Sequence, residues 1–294
     1  MNPIGLSFLD GSALFARLTL VGVAGALFIR FGTGFLRPFL TLLLLAGLAA
    51  VLLSAVPLPG WLYLIWILPA GAILIFGNWP GASALLRFHA FAVLFAATLV
   101  ILLAEGPRQR SPRIPVKAGQ TLYVVGDSIS AGLNTGERCW PEVLAAATSL
   151  RVVNLAEPGA TVESALAQLR KIAKPGALVL LEIGGNDLLD RTAPSVFETR
   201  LAKLVSALRA VDHRILMFEL PLFPFQNAYG QAQRSVAIRC QIPLFPRRHF
   251  ARVLGLKDGT LDGLHLTQKG HDKMARRVAS LLRIEGASQK GPTQ

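Results

Sequence analysis

The sequence predicts an α/β fold with a parallel sheet, preceded by an all-α transmembrane helical region. Residues 1–104 contain four basic and one acidic side chain, whereas residues 105–294 contain 26 basic and 16 acidic ones. The first part consists of long apolar runs, and the second alternates short apolar runs with helical patterns. Only 16% of all residues are charged, against about 25% in ordinary soluble domains, and the mean hydropathy is +0.50. These values exclude a single water-soluble globule and a disordered chain, and they indicate two differently solvated regions.

The apolar runs in residues 1–104 have the length of membrane spans. A helix needs about 20 apolar residues to cross the hydrocarbon core, and residues 38–86 are 49 consecutive uncharged residues. Two prolines and a glycine at Pro57, Pro59 and Gly60 favour a break within this stretch. The sequence therefore predicts three or four spans, at about residues 14–31, 38–56, 59–77 and 85–104.

Two other interpretations of this region are a buried helical bundle and a cleaved signal peptide. A signal peptide has one apolar stretch of about 7–15 residues, whereas several follow one another here, so we expect an integral protein of the cell (cytoplasmic) membrane. Arg30 and Arg37 after the first span favour an outside N-terminus and, after four spans, an outside C-terminal domain. The basic residues that follow the last span favour the opposite orientation. The counts conflict, and we favour the extracytoplasmic side for the second region.

The second region begins with residues 105–120, whose basic and proline-rich composition is typical of a linker. A folded domain is predicted over residues 121–284, and a flexible tail over 285–294. Within the domain, short apolar runs predict strands at about 121–125, 151–155, 177–183, 214–220 and 242–245. Helical patterns separate these runs, which predicts a parallel sheet covered on both faces. Reactive residues in such sheets lie at the carboxyl ends of the strands.

Four polar segments lie where that rule places a site. Ser128 stands on a turn after the first strand, where its hydroxyl can attack an acyl carbon. Gly159 follows the second strand and lets a backbone N–H approach a substrate oxygen, while Asn186 follows the third and can aim an amide N–H at the same point. Asp262, three residues before His265, can hold one ring nitrogen and leave the other as a base. Each segment alone is more often an ordinary turn, but the four in this order indicate nucleophilic catalysis.

Taken together, the segments resemble the four blocks of the SGNH hydrolases, the GDSL-type esterases and lipases. They read GDSIS at 126–130, NLAEPGAT around Gly159, GGND at 184–187 and DGLH at 262–265. The resemblance covers residues 121–284 and none of the membrane region. Ile129 stands where the family usually has leucine, a change in an apolar neighbour of the nucleophile.

The resemblance implies a three-layer α/β/α sandwich of the flavodoxin-like type and a catalytic triad. Ser128 would be the nucleophile, His265 the general base and Asp262 the residue that orients it. The oxyanion hole would consist of the Ser128 N–H, the Gly159 N–H and the Asn186 side chain. No organic cofactor or metal is implied. Cys139 and Cys240 lack the spacing of a metal site, and whether they form a disulfide or remain thiols is left open.

The expected function is that of a membrane-anchored serine esterase acting on acyl or acetyl esters of a lipid or an envelope glycan. The alternatives are an O-acyltransferase with the same triad and a non-catalytic membrane assembly or binding protein. Expected partners are the ester substrate and membrane lipids. Residues 105–294 carry a net formal charge of +10, but no nucleic-acid-binding motif accompanies it, and protein partners stay unknown. His271 is expected on the surface of the last helix rather than in the site.

Overall fold

The computed structural model describes residues 6, 9–11, 14–31, 35–78, 81, 83–133 and 136–285. The chain divides into two compact units. The helical unit comprises Ser7–Arg110 and Leu222–Gln231, and the α/β unit comprises Met1–Leu6, Ser111–Pro221 and Ala232–Gln294.

The helical unit contains helices at all four positions where spans are predicted. They are α1 (Leu14–Phe31), α2 (Leu36–Leu52), α3 (Gly60–Asn78) and α4 (Ala84–Arg108). Helix α3 packs against α4, and α1 packs against α2 and α4. Their shared core includes the fully buried Leu44 and Trp66, and the Trp66 indole N–H donates to the Thr98 hydroxyl at 3.0 Å. The apolar sequence thus forms a helical bundle with a polar contact inside it.

Helix length does not by itself establish the predicted spans. Among the described helices, α4 is the one long and apolar enough to cross a membrane by length and composition. Shorter apolar helices cover Arg17–Leu27, Leu36–Leu52 and Gly60–Phe76. Support for more than one membrane span therefore depends on other properties of these helices.

The α/β unit is built on a parallel sheet of five strands in the order β3-β2-β4-β5-β6. The strands are β2 (Thr121–Gly126), β3 (Arg151–Asn154), β4 (Leu178–Glu182), β5 (Arg214–Phe218) and β6 (Leu244–Phe245). Every residue of β4 is buried, and since successive side chains of a strand point to opposite faces, both faces of the sheet are covered. The predicted parallel sheet and its layers are confirmed, with strand ends within two residues of those expected.

The strand order places the expected site at one position in the sheet. Counted from β2, the order is 2-1-3-4-5, that of flavodoxin-like folds. In such sheets ligands bind where the direction of strand succession reverses, outside the carboxyl ends of the central strands. Here that point lies between β2 and β4, which pair from Leu122 with Leu178 to Gly126 with Glu182.

The predicted linker differs from the structure at Ile114–Lys117. These residues form β1, which pairs in parallel with β7 (Leu282–Glu285). Ile114 and Val116 are buried while Pro115 and Lys117 are exposed. This alternation of buried and exposed side chains is typical of a strand, although the segment has the composition of a linker. Helix α4 also continues to Arg108, into the predicted linker. Glu285, predicted as the first residue of the tail, belongs to β7, and residues 286–294 lie outside the described residues.

The remaining helices connect the strands and carry the loops of the site. They are α5 (Ser128–Ala131), α6 (Trp140–Ala147), α7 (Ala165–Leu169), α8 (Gly185–Leu189), α9 (Pro194–Arg209), α10 (Asn227–Arg239), α11 (Arg248–Leu254) and α12 (Gln268–Leu281). Both cysteines, Cys139 and Cys240, are free thiols. The alternative that they form a disulfide is therefore wrong.

A buried glutamine completes the sheet at the end of β2. Strand β3 ends opposite Val124, so it does not reach Gly126. The Gln168 side chain takes its place, because its oxygen accepts the Gly126 N–H at 3.1 Å and its nitrogen donates to the Gly126 carbonyl at 2.9 Å. Gln168 therefore fixes the backbone two residues before Ser128.

Replacing Gln168 with leucine should destabilise the protein, because the buried Gly126 N–H loses its partner, while the Gly126 carbonyl keeps the Glu157 N–H at 3.2 Å. We expect a loss of about 1–3 kcal/mol, the cost of an unsatisfied buried group. The measurement is the urea midpoint of the full chain in detergent. Gln120→Leu is the matched control, because Gln120 also accepts a backbone N–H, that of Lys117, but at an exposed position. Equal midpoints for the two variants would contradict the role of Gln168.

Candidate active site

The nucleophile candidate begins the short helix α5, directly after β2. Asp127 caps this helix, and its Oδ1 accepts the N–H of Ile129 at 3.0 Å. Gly132 ends the helix with φ at 77°, in the left-handed region that favours glycine. Ser128 is 8% exposed, so the turn presents a largely enclosed hydroxyl at the carboxyl end of β2.

Two glycines let the loop after β4 approach this turn closely. Gly184 has φ at 112°, and a Cβ built on it would lie 2.9 Å from the ring of Phe197. A Cβ on Gly185 would lie 3.3 Å from Oδ2 of Asp127. The GGND segment therefore contacts the residue before Ser128. This contact agrees with the prediction that both segments lie at the ends of neighbouring strands.

The same loop also holds the segment that contains Gly159. The Asn186 side-chain nitrogen donates to the Ala160 carbonyl at 2.9 Å, and Oδ2 of Asp187 accepts the Val162 N–H at 2.8 Å. Gly159 has φ at 74° and nothing within 4 Å of where a Cβ would stand. The sequence did not indicate that Asn186 also binds a backbone carbonyl, but the amide nitrogen carries a second N–H. Gly159 and Asn186, two of the three predicted oxyanion donors, therefore belong to one connected region.

Asp262 and His265 form the hydrogen bond that their spacing predicts. Oδ2 of Asp262 lies 2.6 Å from Nδ1 of His265, and its Oδ1 accepts the backbone N–H groups of Leu264 and His265 at 2.9 and 2.8 Å. These bonds, that of the His265 ring first, hold the pKa of Asp262 far below its usual range. With Nδ1 engaged, the ring nitrogen Nε2 is the one left to exchange a proton.

The first three segments contact one another. A Cβ on Gly185 would lie against Asp127, and Asn186 binds Ala160. The structure thus brings the segments of Ser128, Gly159 and Asn186 to one edge of the sheet. The fourth segment acts on them electrostatically, because the charge of His265 lowers the pKa of Asp127.

Three buried carboxyl groups, those of Asp127, Asp187 and Glu182, lie around the turn that carries Ser128. The sequence prediction included no role for Glu182. Burial raises the pKa of Asp127 to about 6, the Ile129 N–H and His265 oppose this, and the charge of Asp187 adds to it. Burial also raises the pKa of Asp187. Burial, with the charge of Asp127, raises that of Glu182 well above its usual range. Glu182 ends the apolar run of β4. A single glutamate at the end of a buried strand was the feature of the sequence that could have indicated it.

The expectation that His271 lies on the helix surface is wrong. Its side chain is 1% exposed, and its Nδ1 accepts the Trp140 N–H at 3.2 Å. Gly270, Met274 and Val278 share the buried face of α12 with it, so helical spacing from Met274 and Val278 already indicated burial. His271 therefore supports the start of α6 from within the core.

The pH dependence of stability should reveal the buried Asp127. Between its ordinary 3.8 and about 6, the folded protein retains a proton that the unfolded chain has lost. This proton stabilises the fold below about pH 4, and the stabilisation disappears as the pH rises through 6. Asp127→Asn lacks this titration, so wild type should lose up to about 3 kcal/mol relative to the variant over that range. Urea midpoints of both proteins at pH 4–7 measure it, and a constant difference would contradict a raised pKa.

Comparison with known proteins gives a family. Residues 124–273 match the family described as GDSL-like Lipase/Acylhydrolase, a range that contains all four segments. The chain is 33% identical over 178 residues to the esterase TesA of Pseudomonas aeruginosa, covering 55% of this chain and 87% of that protein. It is 31% identical over 180 residues to an arylesterase of Vibrio mimicus, covering 56% of this chain and 90% of the relative.

Two further similarities cover the same part of the chain. A thioesterase 1/protease 1/lysophospholipase L1 of Escherichia coli is 28% identical over 181 residues, 56% of this chain and 86% of that protein. A crystal structure of TesA is 30% identical and covers 55% of this chain and 97% of its own, with a TM-score of 0.49. Because the matched family covers half of the sequence, the chain belongs to the GDSL-like lipase/acylhydrolases and is a hydrolase that acts on esters.

Proposed function

We propose that the chain is a membrane-anchored serine esterase in which Ser128, His265 and Asp262 form the catalytic triad. The observation that carries the proposal is the Asp262–His265 hydrogen bond of 2.6 Å in a loop whose histidine acts electrostatically on Asp127, the neighbour of Ser128. A carboxylate that fixes one ring nitrogen leaves the other as a base beside the nucleophile.

The first half of the reaction forms an acyl-enzyme. Oγ of Ser128 attacks the ester carbonyl carbon while its proton passes to Nε2 of His265. The N–H groups of Ser128 and Gly159 and the Asn186 amide stabilise the negative oxygen that forms. The carbon–oxygen bond to the alcohol then breaks, and His265 returns the proton to the leaving alcohol.

The second half restores the enzyme. Water attacks the acyl carbon and gives its proton to His265, and the bond to Oγ breaks as Ser128 takes that proton back. The carboxylic acid leaves. Every proton is transferred between Ser128, His265, the alcohol and water, so the cycle needs no oxidant, reductant or cofactor.

The surface of the helical unit supports the membrane anchor. Apolar side chains on its helices are largely exposed, with Leu42 at 66%, Leu68 at 67% and Leu103 at 67%. Large exposed apolar surfaces are rare on soluble monomers and mark contact with lipid or a partner. Helix α4, with 25 residues, is long and apolar enough to cross a membrane. Together with the exposed apolar surface, it supports the proposal of a bundle in which three or four helices cross the cell membrane.

An anchored esterase would act on esters at the membrane. We place the α/β unit on the extracytoplasmic side, where acyl or acetyl esters of lipids and envelope glycans are the accessible substrate class. The net formal charge of +10 on residues 105–294 suits contact with anionic headgroups.

Replacing Ser128 with alanine should abolish the nucleophile without disturbing the fold. Hydrolysis of p-nitrophenyl esters is expected to fall by at least about 10³-fold, because only oxyanion stabilisation and binding remain. Labelling by a fluorophosphonate should disappear together with it. Ser280→Ala, at an exposed position of α12, should keep both. Activity and labelling that survive in the Ser128 variant would refute the mechanism.

The anchor predicts that the full chain stays in the membrane fraction after alkaline carbonate extraction and dissolves in detergent. An alkaline phosphatase reporter fused after Gln294 should be active outside, whereas a green fluorescent protein at the same position should not fluoresce in the periplasm. Release by carbonate contradicts the anchor, and the reverse reporter pattern contradicts the orientation alone.

A further inference from the structure

Glu182 binds the nucleophile turn at Ser130. It is the last residue of β4, is 2% exposed and pairs with Gly126, the last residue of β2. Its Oε2 accepts the Ser130 hydroxyl at 2.7 Å. One buried side chain thus ties a residue two positions after Ser128 to the strand beside β2.

The contact requires Gly126 and continues beyond Ser130. A Cβ on Gly126 would lie 2.8 Å from the Glu182 carbonyl and 3.1 Å from Oε2. The Ser130 hydroxyl accepts the Trp140 indole N–H at 3.0 Å, and the Ser130 carbonyl accepts the Asn154 side-chain N–H at 2.8 Å. Ser130 is therefore held from three directions, and Glu182 is the one that comes from β4.

We propose that Glu182 is a positioning residue for Ser128, which it acts on through its hydrogen bond to Ser130. The inference rests on the proposed role of Ser128 as nucleophile. Glu182 touches neither substrate nor reacting atoms, so its effect should appear in kcat rather than in KM. A displacement of a reacting group by about 1 Å can cost roughly 10²-fold in rate.

The direction of the Glu182 pKa shift suits this role. Burial first, and then the charge of Asp127, raises its pKa well above the usual range. Asp187 and His265 act on the cluster through Asp127. A carboxyl group that keeps its proton to higher pH places less negative charge beside the nucleophile turn, where a negative charge would oppose the proposed oxyanion.

Glu219 at the end of the neighbouring strand provides a contrast. It is 2% exposed, and burial alone would raise its pKa, but the charges of Arg234 and Arg247 outweigh this and lower it. Nε of Arg234 lies 2.6 Å from its Oε1, and the Arg247 N–H donates to Oε2 at 3.1 Å. Two buried glutamates at adjacent strand ends thus have pKa values shifted in opposite directions, and of the two, Glu182 is the one that binds the nucleophile turn.

The test compares Glu182→Gln with Glu182→Met in the full chain. Glutamine is neutral, keeps the shape and still forms hydrogen bonds, so kcat near pH 7 should stay within about threefold of wild type. Methionine fills a similar volume without these bonds, and kcat should fall about 10²-fold with KM nearly unchanged. In alkaline solution wild type should lose kcat as Glu182 ionises, whereas the glutamine variant should lose less.

Controls separate positioning from stability and from the proposed function. Glu219→Gln should lower the urea midpoint, because a buried arginine loses a charged partner, but should keep kcat. If Glu182→Met does not fold, Ser130→Ala removes the same bond and should lower kcat about tenfold. Wild-type kcat in Glu182→Met or in Ser130→Ala, or equal losses in the methionine and glutamine variants, overturns the inference. An active Ser128→Ala variant overturns the proposed function itself.

Discussion

The pairing of β2 with β4 is the contact on which the candidate site depends. Both strands end at the same edge, with Gly126 opposite Glu182, and the segments of Ser128 and Asn186 leave from these ends. Glycine at both positions permits the close approach of the two loops. A Cβ on Gly126 would contact Glu182, and a Cβ on Gly185 would contact Asp127. A larger residue at either position would separate the two loops before any catalytic side chain was changed.

Features set by local sequence were predicted well. Buried parallel strands form short apolar runs bounded by turns, and for that reason strands β2 to β6 lie close to their expected ends. The first three polar segments were found because each follows such a run, and strand order then brings them together. The strand at Ile114–Lys117 was missed because it pairs with the distant Leu282–Glu285. The burial of His271, whose Nδ1 accepts the Trp140 N–H, was missed although its helical spacing from Met274 and Val278 indicated it.

Electrostatic properties were the least accessible to sequence. Glu182 and Glu219 both end apolar strand sequences, and nothing local distinguishes them. Their pKa values shift in opposite directions because Arg234 and Arg247, which follow 15 and 28 positions after Glu219, are brought to one glutamate, whereas the charge of Asp127 acts on the other. Burial acts on both in the same direction, so the neighbours supplied by the fold decide the direction of each pKa shift.

Composition and motif carry separate kinds of information in this chain. The low fraction of charge comes from residues 1–104, which form helices that expose apolar side chains in the structure; it bears on where the protein is held. A handful of polar residues at strand ends cannot shift a composition measured over 294 residues, yet they determine the chemistry. Conversely, the four polar segments lie outside residues 1–104. In the proposed function, access to a membrane substrate depends on the helical unit, so a change that releases the proposed anchor should alter turnover of lipid esters while leaving turnover of small soluble esters unaffected.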